Sequence, residues 1–362
     1  MSVASLVGER DLVVVCGPGG VGKTTTAAAI GVGAALRSDR RVLVLTVDPA
    51  KRLAQALGLT AVGNTETVIE PERFEAAGRP ARGQLSVAML DTKAGWDDVV
   101  RSHAPDAATR DAILANTLYQ SVAGRFIQSH DYVAMERLHQ LRADANYDLI
   151  VVDTPPTRSA IDFLEAPARM AEFFSSRLLR WLTAPYRSRA MGLAAKPFTF
   201  VADRVLGADF LADVGEFFVL FQSLYDGFVE RSAEVAQVLA DDRTTFAVVA
   251  TPEGPACREA RFFLDELDSR GLESGALVMN RVLPAPFRST QGVAAARKML
   301  EGDARFHPLA EQYLDRRGRA RREQEFLAEL APRVDHTARV PELVDDLVDI
   351  SGVAALGDHL AH

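Results

Sequence analysis

The run Gly17-Pro18-Gly19-Gly20-Val21-Gly22-Lys23-Thr24-Thr25 constrains this chain more than any other stretch. It fits the pattern of a glycine, four residues and then Gly-Lys-Thr, in which backbone N–H groups close around a polyphosphate. Lys23 has the reach to meet the β- and γ-phosphates, and the Thr24 hydroxyl suits a Mg²⁺ ion. The flanks agree with this. Asp11 to Cys16 is an apolar run of the kind buried as a parallel strand. The alanine-rich stretch from Thr24 to Leu36 reads as a helix. Strand, glycine turn and helix N-terminus together make an anion site, because the helix dipole adds to the free N–H groups. Gly19, Gly20, Val21, Gly22, Lys23, Thr24 and Thr25 are therefore candidate phosphate contacts.

The rest of the chain carries the same alternation. Arg41 to Asp48, Gln84 to Leu90, Tyr147 to Asp153, Thr245 to Ala250 and Ala276 to Met279 are further strand candidates, separated by helical stretches. That order predicts an α/β fold of the P-loop NTPase type, with a doubly wound, mostly parallel sheet covered on both faces. At 362 residues, 48% of them hydrophobic, there is ample material for a large core. From about Asp162 to Leu239 no strand is evident, but aromatic residues recur, among them Phe173, Phe174, Trp181, Phe217, Phe218 and Phe221. Residues 162–239 are expected to form an inserted helical subdomain. Residues 1–161 and 240–362 then form the two parts of the nucleotide-binding core, the second with a C-terminal tail. The aromatic stripe suits the subdomain's own core or a groove for an apolar helix. The arginines between Arg316 and Arg322 suit a solvated helix face or an anionic partner.

Ligands on such sheets lie at the carboxyl ends of strands, and three polar residues fall there. Asp153 closes an apolar strand and can hold Mg²⁺ opposite Thr24, or cap the next helix. Asp48 precedes Pro49 and can orient an attacking water, or serve as an N-cap with proline at the first helical position. Asn280 offers both a donor and an acceptor to the edge of a base, or it is a turn residue. The chemistry expected is phosphoryl transfer, with Lys23 and Asp48 as catalytic candidates, and Thr24 and Asp153 on the metal.

Other classes are disfavoured. A net charge of −8 gives no support for a nucleic-acid binder. Two cysteines, Cys16 and Cys257, cannot make a C-x-x-C site or a disulfide framework, so a reducing cytoplasm fits best. No window reaches the ~18 uninterrupted apolar residues of a membrane span, which leaves a cytoplasmic protein, peripheral at a membrane if it meets one.

Taken in order, five segments resemble the arsenite-pump and tail-anchored-protein-targeting ATPase family, within the dimeric ATPases that carry a deviant Walker A. They are Gly19 to Thr25, Asp48-Pro49-Ala50, Asp153-Thr154-Pro155-Pro156-Thr157 with Phe163-Leu164, Thr251-Pro252-Glu253, and Asn280-Arg281-Val282-Leu283-Pro284. The similarity runs from about residue 10 to the tail containing Val340-Pro341 and Gly352. It implies ATP as the nucleotide, with Mg²⁺, and dimers with ATP near the interface. The dimer is either a homodimer or a heterodimer with a paralogous ATPase subunit. The resemblance also implies a helical subdomain that binds a hydrophobic helical client or an integral membrane protein. An energising subunit of a membrane anion transporter is the alternative. By the same resemblance Asp48 looks like the switch-I water-positioning carboxylate, Asp153 the switch-II metal residue and Asn280 an adenine contact. Three departures stand out. The family's extra loop lysine, which reaches across the dimer, is Pro18 here, a residue with neither charge nor N–H. Asp48-Pro49-Ala50 continues with Lys51-Arg52 instead of His-Asn. The cysteines of the family's zinc clamp and of its arsenite triad have no counterpart.

Overall fold

The computed structural model describes residues 3–47, 52–60, 62–122, 129–155, 217–221, 223–288, 290–302, 304–343, 347 and 349–361, together with the single positions 165, 172 and 214. These fall into two compact units. The first comprises Met1–Met89, Asn146–Ile161 and Leu239–His362; the second comprises Leu90–Ala145 and Asp162–Val238.

The first unit is built on one eight-stranded sheet. Its strands are β1 (Leu12–Cys16), β2 (Arg41–Thr46), β3 (Thr67–Val68), β4 (Gln84–Met89), β5 (Leu149–Asp153), β6 (Thr244–Ala250), β7 (Ala276–Val282) and β8 (His336–Pro341). Their order is β3-β4-β2-β5-β1-β6-β7-β8. Every pairing is parallel except β3 with β4. Each residue of β1, β5 and β6 is buried, as strands covered on both faces require. All six strands expected from the apolar runs are present. β3 and β8 are additions at the two edges.

The winding places the ligand crevice. From β1 the chain passes outward to β2 and β4 on one side, returns through β5, and then builds β6, β7 and β8 on the other. The phosphate loop follows β1, where the winding direction reverses, and this is the switch point at which such sheets bind ligands.

The helix Lys23–Arg37 continues the loop and buries eleven of its fifteen residues. Small residues let it come close to its neighbours. A Cβ on Gly31 would stand 2.3 Å from Val44 Cγ2, and one on Gly357 would stand 3.1 Å from the Ala29 carbonyl oxygen. Gly357 belongs to the C-terminal helix Ile350–Leu360, which the Asp349 carboxylate caps by accepting from the Gly352 N–H at 2.8 Å. Val353, Ala354 and Leu360 of that helix join the loop helix and the Val13, Val44 and Val151 face of the sheet in one core.

The second unit is helical among its described residues: Thr92–His103, Ala107–Ala115, Thr117–Val122, Ser129–Ala143 and most of Tyr225–Ala240. It takes in residues 90–145 as well as residues beyond 162. Asp91 and Asp106 cap two of its helices through the Ala94 and Thr109 N–H groups. Trp96 stacks on Tyr132 at 5.6 Å and meets Phe221, which stacks on Phe217 at 5.2 Å. Phe217 and Phe221 are buried, so these two members of the aromatic stripe belong to the unit's own core. Phe173, Phe174 and Trp181 lie outside the described residues.

Candidate functional site

The loop after β1 has the backbone that its glycines permit. Gly17, Gly20 and Gly22 have φ of 142°, 77° and 97°, values that residues with a Cβ rarely adopt. Two of them also have no room for a side chain. A Cβ on Gly17 would lie 2.1 Å from the Val249 carbonyl oxygen on β6, and one on Gly22 would lie 2.4 Å from Asn280 Nδ2. Gly22 precedes the helix Lys23–Arg37 in a left-handed conformation, and no side chain caps the helix there. A helix N-terminus preceded by such a glycine turn is a site for a phosphate group. Lys23 is buried, and its Nζ donates to the Pro18 carbonyl oxygen at 2.9 Å, so the ammonium is folded across the loop.

The acidic end of β5 lies beside this loop. Asp153 is fully buried and in register with Val15 of β1 on one side and Thr46 of β2 on the other. The Thr46 hydroxyl donates to Asp153 Oδ2 at 2.9 Å. This hydrogen bond fixes the orientation of the carboxylate at the end of β5. Thr154 follows, and both its N–H and its hydroxyl donate to the Val15 carbonyl oxygen, at 3.2 and 2.9 Å. The start of the expected switch segment is thereby stitched to the strand that carries the phosphate loop. Thr46 was not among the residues expected from the sequence. The one available signal was a polar residue closing an otherwise apolar strand.

Asn280 occupies the other flank. Its Nδ2 donates to the Val21 carbonyl oxygen at 2.7 Å, and its Oδ1 accepts from the Arg281 N–H at 2.9 Å. It braces the loop from an irregularity near the end of β7, in which Arg281 takes φ of 56°. Beyond it opens a cavity of about 720 Å³, lined by Gly22, Thr25, Arg52, Asn280, Arg281 and Pro341 among others. The cavity adjoins the first turn of the loop helix.

Asp48, with Pro49, Ala50 and Lys51, lies outside the described residues, as do Pro156, Thr157 and Arg158. Arg52 opens the short helix Arg52–Ala56.

The two cysteines are chemically quiet. Burial pushes the Cys16 thiol well above its ordinary range, against an opposing pull from the Lys23 charge. Burial also takes Cys257 up to about 11. Cys16 lies in β1 and its sulfur faces the Ala247 carbonyl oxygen, while that of Cys257 faces the Thr251 carbonyl oxygen. Among the described residues no group of His, Cys, Asp and Glu is arranged to hold a metal by itself. A Mg²⁺ ion bound through Thr24, Asp153 and the phosphates needs no such group, since it keeps several waters and takes one or two protein oxygens. The donor set here, hydroxyl and carboxylate oxygens beside a loop too tight for side chains, fits that ion and a nucleotide polyphosphate.

The model for the anion-transporting ATPase family matches residues 10–316. The chain is 33% identical over 275 residues to the uncharacterised protein SCO2128 of Streptomyces coelicolor, an alignment covering 75% of this chain and 62% of that protein, less than two thirds of its length. It is 23% identical over 304 residues to an ATPase named get3 of Neurospora crassa, with 82% and 81% of the two chains covered. It is 24% identical over 279 residues to an ATPase ASNA1 homologue of Entamoeba dispar, with 75% and 76% covered.

Proposed function

The chain belongs to the anion-transporting ATPase family, and from that membership we propose that it is a cytoplasmic, dimeric ATPase. It hydrolyses ATP to ADP and phosphate and couples its nucleotide state to a hydrophobic helical client or to an integral membrane partner. The observation that carries this is the cradle formed by Gly17, Gly22 and Lys23 beside the buried Thr46–Asp153 pair.

In this reading the N–H groups of Gly19 to Thr25 hold the β- and γ-phosphates. Lys23 leaves the Pro18 carbonyl for the phosphate oxygens, a stronger, charge-assisted partner. Thr24 and Asp153 hold Mg²⁺, which when bound neutralises charge on the phosphates. The Thr46 hydroxyl orients the Asp153 carboxylate for that role. Asp48 orients the attacking water, the positioning on which phosphoryl transfer chiefly depends. The nucleoside lies in the cavity beside Asn280.

Pro18 sets the rate. A cation supplied across an interface is worth roughly 10³–10⁵ in related phosphoryl-transfer enzymes, and proline supplies none. The chain alone therefore hydrolyses ATP slowly and gains its missing cation from a paralogous subunit or from Lys51, Arg52 or Arg158. Pro18→Lys raises turnover in a steady-state phosphate-release assay. A variant that binds ATP but turns over no faster than the parent chain overturns this part of the account.

The family's description favours a second reading, the energising subunit of a membrane anion transporter. Affinity purification from the native cell in ATP and in ADP separates the two. Recovery of an integral membrane transporter supports the second reading, and recovery of proteins bearing apolar terminal helices supports the first.

A further inference from the structure

The nucleoside side of the site is held by a turn whose own support comes from elsewhere in the first unit. β7 and β8 lose their regular register between Met279 and Val282. Inside this irregularity are Asn280, which braces the phosphate loop, and Arg281, at its positive φ. A non-glycine residue in that region is strained and persists only where its surroundings enforce it. On one side the Glu342 N–H donates to the Val282 carbonyl oxygen at 2.9 Å. On the other, the Leu283 N–H donates to both carboxylate oxygens of Glu323, at 3.2 and 3.1 Å. Glu323 is 2% exposed and belongs to the helix His307–Leu330, far along the chain from every nucleotide-binding motif. A buried carboxylate is costly unless its hydrogen bonds are made. Here one receives a backbone N–H three residues after Asn280.

We propose that Glu323 is a positioning residue for the nucleotide: by pinning the Leu283 N–H it fixes the Asn280–Arg281 turn that lines the nucleoside cavity. The proposal rests on the ATP-binding reading above. Contacts run without a break from Glu323 to Leu283, through the turn to Asn280, and on to the Val21 carbonyl oxygen. Removing the carboxylate takes away the acceptor that Glu323 gives the buried Leu283 N–H and loosens the segment from Asn280 to Leu283. The cavity wall then loses its shape, while the Gly17 end of the phosphate loop, packed against Val249 of β6, keeps its own support.

The test compares ATP with inorganic tripolyphosphate, both with Mg²⁺, by calorimetric titration of the parent chain, Glu323→Ala and Glu323→Gln, with circular dichroism as the folding check. Glu323→Ala should weaken ATP by roughly tenfold and tripolyphosphate by no more than about threefold, since the loop loses only its Asn280 brace. Glu323→Gln keeps one carbonyl oxygen to accept from Leu283 and should recover most of the loss. The proposal is overturned if folded Glu323→Ala binds ATP like the parent chain, if both ligands weaken alike, or if glutamine fails to rescue. If Glu323→Ala does not fold, Glu323→Gln and Glu323→Asp decide, since only the former places an acceptor at the right reach. Equal ATP affinity in those two overturns the proposal. A parent chain that binds neither ligand refutes the function itself and is recognisable as such.

Discussion

Gly22 is where the phosphate loop and the end of β7 meet, and its missing side chain is used twice. Its φ of 97° suits glycine, and the space a Cβ would fill is taken by Asn280 Nδ2. Gly22→Ala should cost about 1–3 kcal/mol from backbone strain and forced movement of Asn280, seen as a lower thermal midpoint. It should also weaken ATP more than tenfold by calorimetry. An unchanged midpoint would mean the loop is free to adopt another backbone. The phosphate loop was legible in the sequence because glycines at fixed spacing before Lys-Thr have little other reason to occur. Asn280 was visible as a polar residue at a strand end, but its brace to Val21 was not, since that depends on β7 lying two strands from β1. The roles of Thr46 and Glu323 were hidden for the same reason. Each acts on a partner, Asp153 or Leu283, that only the tertiary fold brings near.

Elements buried on both faces announced themselves, and edge elements did not. β1, β5 and β6 read as largely apolar runs because no residue in them meets water. β8, His-Thr-Ala-Arg-Val-Pro, buries only Ala338 and Val340 fully and so carries the polar texture of a loop. β3 has two exposed residues, too few for any period to show. The C-terminal helix Ile350–Leu360 matters because its Gly357 lies against the helix that continues the phosphate loop. Gly357→Val should force the two helices apart and cost about 1–3 kcal/mol, read as an earlier urea midpoint. A midpoint equal to that of the parent chain would show that the contact has slack. In the helical unit Glu136 is buried among His103, Arg231 and Tyr132, at 2.7, 2.8 and 3.2 Å. Burial pushes its pKa up, but the hydrogen bond from His103 and the charge of Arg231 outweigh this and hold it below the ordinary range. Glu136→Ala removes the buried carboxylate on which His103, Arg231 and Tyr132 converge and should cost about 3–5 kcal/mol. A loss under about 1 kcal/mol in chemical denaturation would mean the ions are hydrated.

For the molecule as a whole, acid should find the first unit through its strand starts. Asp148, just before β5, accepts from the Arg41 side chain and N–H, and these hydrogen bonds take its pKa down to about 2. The unfolded chain then takes up the proton first, near the ordinary carboxylate range. The contribution of Asp148 is full above about pH 4 and is lost as the pH falls toward 2. It is modest, because the pair is half exposed and screened by salt. Asp148→Asn should flatten the urea midpoint between pH 4 and 2 relative to the parent chain, and an identical slope would remove Asp148 from the acid response. The central claim is nucleotide binding at the loop after β1. It is tested most directly by calorimetric titration of Mg·ATP into the parent chain and Lys23→Ala. The account predicts saturable binding to the parent chain, weakened on the order of 100-fold, about 2.7 kcal/mol, when the ammonium is removed. A parent chain that takes up no ATP, or a folded Lys23→Ala that binds it equally well, would contradict it.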